Sequence, residues 1–277
     1  MTDQEYAILT KHILRLTEIN LDNYKSQQMR RRLSFFIEST NNQTVVHYCK
    51  LMENDPNVLN KLKDFLTINV TEFFRDDWAF QDLQKTILPI LIKGSFALNV
   101  WSAGCSNGSE PYSIAILLKE LTGHSHHKIL GTDLDNLSLE KAISGGPYTK
   151  DSIKNAPEDY IREYYNLEDN KYWIKPEIKK MVRFKKQNLL ADRFEEGFHL
   201  ICCRNVTIYF TDEAKANLTK NFYNSLFDKG VLFIGATEFI PNHSDLGFKK
   251  LGTCFYQKIA KQDMISNAEK QPVLTTV

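Results

Sequence analysis

Between Leu98 and Leu118 the pattern switches from strand to helix across two glycines, and this stretch restricts the fold more tightly than any other. Leu98 to Ala103 is a strand-like apolar run, Gly104 and Gly108 interrupt it, and apolar residues then recur at helical spacing through Leu118. A strand that feeds a glycine turn and a helix N-terminus belongs to an open α/β sheet and builds a nucleotide or nucleoside pocket. Small residues let a ligand approach the backbone, and the N–H groups at the helix start face it. The spacing is Gly-x-x-x-Gly rather than the Gly-x-Gly-x-x-Gly of dinucleotide turns, and the turn has no lysine. It therefore suits a nucleoside better than a pyrophosphate.

A chain of 277 residues accommodates one full α/β domain and a smaller unit. The net charge of +1 excludes a global polybasic or polyacidic strategy, so no nucleic-acid partner is expected and charge must act locally. Cys49, Cys105, Cys202, Cys203 and Cys254 have no paired metal spacing, and two of them sit in an apolar run. That usage fits small buried hydrophobes in a reducing cytosol, and no metal is expected. The N-terminus lacks a signal pattern and no apolar run approaches a membrane span, so a cytoplasmic protein without membrane insertion is expected. Nothing demands an oligomer, and a monomer is expected.

Residues 1–77 carry helical periodicity alone: Tyr6, Leu9, Ile13 and Leu16, then Leu33, Phe36 and Ile37, then two further runs separated at Asp55-Pro56. They are expected to form a separate helical domain, followed by an α/β domain over 78–260 and a polar, flexible tail over 261–277. Lys25, Arg30, Arg31 and Arg32 cluster just before Leu33; they are either a solvated helix face or a landing strip for an acidic partner. Asn69, Thr71 and Arg75 alternate with Ile68, Val70, Phe73 and Phe74. Either Asn69 or Thr71 caps a helix near Glu72, or Arg75 is held by aromatic packing and offers its planar fork to a carboxylate.

His127 to Asp135 reads as a second strand ending in two acids, where a ribose is commonly held. The Gly123–His127 cluster reads as a polar loop, Asn136–Ile143 and Asp151–Tyr165 as helices, and about 164–184 as a small β insert. Val182–Lys186 leads to a third strand edge near Asn188, and Phe198–Phe210 reads as a central fourth strand delivering Arg204 and Asn205. Thr211 caps a helix that ends at Lys229-Gly230, Val231–Ala236 is a fifth strand, and Phe248–Ile259 a final hairpin arm. Gly104, Glu110, Asp133, Asn188 and Asn205 then share the carboxyl rim, an acidic, amide-rich set that suits a cationic ligand bearing a ribose. S-adenosylmethionine fits that description, and NAD fits it less well. Tyr209 is either half-buried core or acts with Arg75 and Arg204 to orient a carboxylate beside a sulfonium. A glutamate is ionised at neutral pH and attacks a methyl carbon directly, so positioning and removal of water suffice.

Five separated motifs, in order over nearly the whole chain, resemble the chemotaxis receptor methyltransferase (CheR) family. They are Asn69-Val-Thr-Glu-Phe-Phe-Arg-Asp76, Trp101 to Ser113, Gly131-Thr-Asp-Leu-Asp135, Asn188-Leu-Leu190 and Cys203-Arg-Asn-Val-Thr-Ile-Tyr-Phe210. The resemblance implies a Rossmann-like doubly wound methyltransferase domain with an N-terminal helical domain and a β-subdomain insert over 164–184. It implies S-adenosylmethionine-dependent O-methylation of glutamates on the cytoplasmic helical bundle of chemoreceptors, with S-adenosylhomocysteine as the other product. Cofactor contacts are implied at Asn69, Thr71, Arg75, Glu110, Asp133, Asn188 and Asn205, beside the turn at Gly104. Arg75 and Tyr209, with Arg204 alongside, match positions near the methyl group. The helix bearing Lys25 and Arg30 to Arg32 matches the receptor-docking helix, and the short insert resembles members that do not dock a receptor-tethered pentapeptide. The chain departs from the family's common Ser-Thr-Gly-Glu-Glu-Pro at Ser106-Asn-Gly-Ser-Glu-Pro111, where Asn107 and Ser109 stand in place of threonine and glutamate. Cofactor binding is expected to survive that change; the alternative is a catalytically weak relative serving as a cofactor- or receptor-binding module.

Overall fold

The computed structural model describes residues 1–40, 44–67 and 71–260. Asn69 and the expected tail over 261–277 therefore lie outside the described residues. The chain divides into two compact units, one from the described residues of 1–70 together with 206–217, the other from 71–205 and the described residues of 218–277.

The first unit is built on four helices, α1 (Asp3–Thr17), α2 (Ser26–Ser39), α3 (Val45–Asn54) and α4 (Pro56–Thr67). Thr2 and Glu5 close a reciprocal capping box at the start of α1. Leu9 and Ile13 of α1, Met29 and Leu33 of α2, Tyr48 of α3 and Leu62 of α4 are buried, which accounts for the observed periodicity. Asp55 ends α3 by donating its N–H to the Leu51 carbonyl, and Pro56, which has no N–H to offer, opens α4.

Among its described residues the second unit contains nine strands: β1 (Asn99–Ala103), β2 (Lys128–Asp133), β3 (Tyr165–Glu168), β4 (Lys171–Ile174), β5 (Val182–Lys186), β6 (Phe198–Cys203), β7 (Leu226–Ile234), β8 (Phe248–Lys250) and β9 (Phe255–Lys258). Seven of them form one sheet in the order β5-β2-β1-β6-β7-β9-β8. Pairings from β5 through β7 are parallel, while β9 runs antiparallel to both β7 and β8. The chain moves outward from β1 through β2 to β5 and then returns to β6 on the other side of β1. The strand order thus reverses between β1 and β6, where doubly wound sheets open a ligand crevice at their carboxyl ends. This is a Rossmann-like fold. Val100, Leu200, Cys202, Val231 and Phe233 are fully buried in the sheet's core, and all five cysteines are free and buried.

Several elements differ in detail from the sequence expectation. The expected helix over Asp151–Tyr165 is split into a short turn (Asp151–Ile153) and a helix (Glu158–Tyr164), with Pro157 between them. The two-stranded unit is the hairpin β3–β4, turned by Asp169 and Asn170, both at positive φ as a tight hairpin requires. Ile178 lies in a one-turn helix, and Val182 and Phe184 belong to the main sheet. The fourth strand ends at Cys203, because Asn205 adopts a left-handed conformation (φ 60°) and the chain then turns through Thr207–Tyr209. β7 begins at Leu226, ahead of Lys229-Gly230.

Candidate active site

The loop after β1 is bent by three left-handed residues, Gly104 (φ 81°), Ser106 (φ 47°) and Gly108 (φ 86°). A side chain at Gly108 would place its Cβ 2.9 Å from Cβ of Ala142, so the glycine is required both for its backbone and for its lack of bulk. The N–H groups of Gly104 and Cys105 donate to the Thr132 carbonyl at 2.8 and 2.9 Å, tying the loop to the end of β2. Tyr148 Oη donates to the Asn107 carbonyl, and Asn107 Oδ1 accepts from both N–H and Oγ of Ser109 at the first turn of the helix Ser109–Thr122.

Two carboxylates stand at this rim. Asp133 ends β2, buried, and accepts from the N–H of Ser106 at 2.7 Å and of Asp135 at 3.0 Å. Burial pushes its carboxyl up, and those backbone N–H groups pull it back. Glu110 accepts from Ser102 Oγ at 2.7 Å and faces Nη1 of Arg204 at 3.4 Å. Burial raises its carboxyl as well, opposed first by the Arg204 charge and, more weakly, by that of Arg75. Asn205 donates its N–H to Glu238 Oε2 at 2.8 Å, and the same oxygen accepts from Gly235 N–H at 2.8 Å. The side-chain Oδ1 of Asn205 is buried and has no partner. Half-buried Asn188 folds on itself, accepting from Leu190 N–H at 3.0 Å while its own N–H donates to Asp192.

Thr71 and Arg75 lie half-buried on the segment leading into the helical turn Asp77–Asp82. That segment is fastened at several points. Glu72 pairs with Lys154 and Asn155, Phe73 N–H donates to the Ser152 carbonyl, and Phe74 N–H donates to Ser113 Oγ. A hydrogen bond from Lys154 holds the half-buried Glu72 carboxyl below its ordinary value.

Arg204 does not stand at the rim as a free cation. Its side chain is 2% exposed, its guanidinium lies over the rings of Phe233 (4.6 Å) and Phe80 (5.3 Å), and Nη2 donates to the Arg75 carbonyl (2.9 Å) and Asp76 Oδ2 (2.7 Å). The expectation that it orients a substrate carboxylate is corrected by this burial. Tyr209 belongs to the helical unit, where its carbonyl accepts from Lys25 N–H and its ring lies 5.3 Å from the Arg32 guanidinium.

The basic cluster on α2 is likewise divided. Lys25 and Arg31 are exposed. Arg30 is bound to the Met1 carbonyl and to Asp3, while Arg32 donates to the Phe65 carbonyl and stacks on the Phe65 ring at 4.8 Å. Burial lowers the Arg32 pKa. Asp76, Ser113 and Glu238 were not singled out from sequence. For Asp76 the available signal was its position next to Arg75; for Glu238 it was an acid just past the fifth strand.

Comparison with known proteins agrees with this architecture. Residues 4–67 match the CheR methyltransferase all-alpha domain and residues 69–255 the CheR methyltransferase S-adenosylmethionine-binding domain. A chemotaxis protein methyltransferase of Listeria innocua is 38% identical over 257 residues, covering 92% of this chain and 98% of that protein. Those of Listeria monocytogenes (37%, with the same coverage) and Borreliella burgdorferi (35%, covering 90% of this chain and 92% of that protein) are similar. The all-alpha domain, the S-adenosylmethionine-binding domain and near full-length relatedness together place the chain in the CheR methyltransferase family.

Proposed function

We propose that the protein methylates glutamate side chains on the cytoplasmic helical bundle of a chemoreceptor, forming methyl esters that serve sensory adaptation. The observation that carries this reading is the rim itself: the buried carboxylate of Asp133 and the half-buried one of Glu110, together with the buried, unpartnered Oδ1 of Asn205. Buried polar atoms are ordinarily paired, so an orphaned acceptor at a rim that also carries two acids fits a ligand that brings N–H or O–H donors and positive charge. S-adenosylmethionine, which the family's binding domain takes, has an ammonium, a sulfonium and two ribose hydroxyls. When bound, it supplies an electrophilic methyl group and departs as S-adenosylhomocysteine.

The chain's own residues do the remaining work in this reading. Asp133 accepts from the ribose, and Glu110 and Asn205 face the cationic part. Thr71, Gly104 and Asn188 complete the cradle; Asn69, a further contact by family resemblance, lies outside the described residues. Arg75 orients the substrate carboxylate, and Tyr209, whose position matches one that the family resemblance implicates in methyl transfer, is the second candidate for that role. The attacking carboxylate is already ionised, so no general base is needed; holding it in line and excluding water is worth roughly 7–11 kcal/mol in well-oriented reactions. Docking is assigned to exposed Lys25 and Arg31, whose charge suits an acidic helical surface. The protein acts as a cytoplasmic monomer that needs no pentapeptide tether. Among the described residues no helix is long and apolar enough to cross a membrane.

The test is transfer of labelled methyl from S-adenosylmethionine to a receptor cytoplasmic fragment. Base-labile label on receptor glutamates supports the reading. Cofactor binding without any transfer would instead favour a binding module.

A further inference from the structure

Arg75 is flanked by two residues in the left-handed region, Phe74 (φ 51°) and Asp76 (φ 58°). Bulky L side chains rarely adopt that conformation, and it persists only where the surroundings over-determine it. The surroundings here include one buried guanidinium. Nη2 of Arg204 reaches the Arg75 carbonyl and the Asp76 carboxylate, while Nη1 faces Glu110 at the cofactor rim. The guanidinium packs against the rings of Phe80 and Phe233, which meet edge to face, and its side chain is almost wholly shielded from water. A planar fork spans these acceptors; the point charge of a lysine does not.

We infer that Arg204 is a positioning residue that holds the Arg75 backbone in its strained turn and couples that turn to Glu110, so that Arg75 is fixed for the substrate carboxylate. The inference rests on the assignment of Arg75 given under Proposed function. Asp76 is the second arm of the same device. Its side chain is 31% exposed, so it can be altered with little disturbance of the core.

The experiment compares Asp76→Asn, Arg204→Lys and Arg75→Ala, singly and combined, in the full chain. Turnover of a receptor fragment is measured at saturating S-adenosylmethionine, and cofactor affinity by titration calorimetry. The expected result is a fall in kcat of at least about tenfold for Asp76→Asn and Arg204→Lys, with cofactor Kd within about threefold. In the Arg75→Ala background Asp76→Asn should cost nothing further, because it acts through Arg75. A merely structural Arg204 would lower thermal stability and cofactor affinity and give losses independent of Arg75, which would overturn the inference. Full turnover in Asp76→Asn with an inactive Arg75→Ala overturns the positioning role alone. Full turnover in Arg75→Ala overturns the assignment of Arg75, and this inference falls with it. If Arg204→Lys does not fold, Asp76→Asn decides the matter.

Discussion

Ser109 Oγ donates to Asn107 Oδ1 at 2.7 Å, so the two residues that set this chain apart from the common family motif are bonded to each other. Asn107 also accepts from the Ser109 N–H, one of the otherwise unpaired donors in the first turn of the helix that carries Glu110. Each of Asn107→Ala and Ser109→Ala should cost about 1 kcal/mol of stability. The double variant should cost clearly less than the sum, because one bond is lost in both. Strict additivity in chemical denaturation would mean that the pair is not coupled.

Lys25 and Arg31 are the members of the basic cluster available to a partner. Replacing both by glutamate should raise KM for a receptor fragment at low salt, with an effect that fades as salt screens it. Cofactor affinity and thermal midpoint should stay unchanged. Arg32→Ala should instead lower stability by roughly 1–3 kcal/mol, since it removes a part-buried bond to the Phe65 carbonyl and the packing on Phe65 and Tyr209. A normal KM in the Lys25→Glu, Arg31→Glu protein at low salt would remove this face from the docking assignment.

Burial raises both Glu110 and Asp133 above the ordinary carboxylate range. A cationic ligand requires them ionised, so its affinity should weaken as pH falls, starting above the ordinary carboxylate value of about 4. Glu110→Gln should weaken cofactor binding by about tenfold near neutral pH, or about 1.4 kcal/mol, and flatten that acid-side decline. Calorimetric titrations of both proteins across this range measure it. An affinity indifferent to both pH and substitution would place the cation elsewhere.

His127 is buried, with Nδ1 accepting from Leu98 N–H and Nε2 bonded to Thr122 Oγ1. Burial lowers its pKa from 6.5 to about 4, with the neighbouring His124 and His126 adding to the shift. The folded protein holds the ring neutral while the unfolded chain protonates it. Its contribution is therefore present above 6.5 and declines as pH falls through that value toward about 4. The slope is at most about 1.4 kcal/mol per pH unit. His127→Asn keeps an acceptor for Leu98 and should remove this slope from the pH dependence of chemical denaturation; an unaltered slope would assign it to other groups.

Much of the architecture was legible because periodicity reports burial. Leu9 and Ile13, or Val100 and Trp101, are buried as their spacing requires, and the glycines at 104 and 108 mark a turn that only glycine can make at 108. What escaped was three-dimensional enclosure. Arg204 follows an apolar strand and reads as a rim cation; only Phe80 and Phe233, distant in sequence, close over it. Val206 to Phe210 has strand composition, yet left-handed Asn205 ends the ladder before it. Arg30 and Arg32 look identical to Arg31 along the chain, and differ only in which acceptors helical phase brings within reach.

The two borders of the main sheet, β5 and β8, carry Arg183, Lys185 and Lys186 on one side and exposed Lys249 and Lys250 on the other. An open border presents unpaired backbone groups that would template another chain, and clustered positive charge makes such stacking costly. Arg183 and Lys185 are partly neutralised by Glu195 from the same unit. The sheet that frames the methyltransferase rim is thereby guarded against recruiting a further strand at either border, a safeguard against edge-to-edge aggregation.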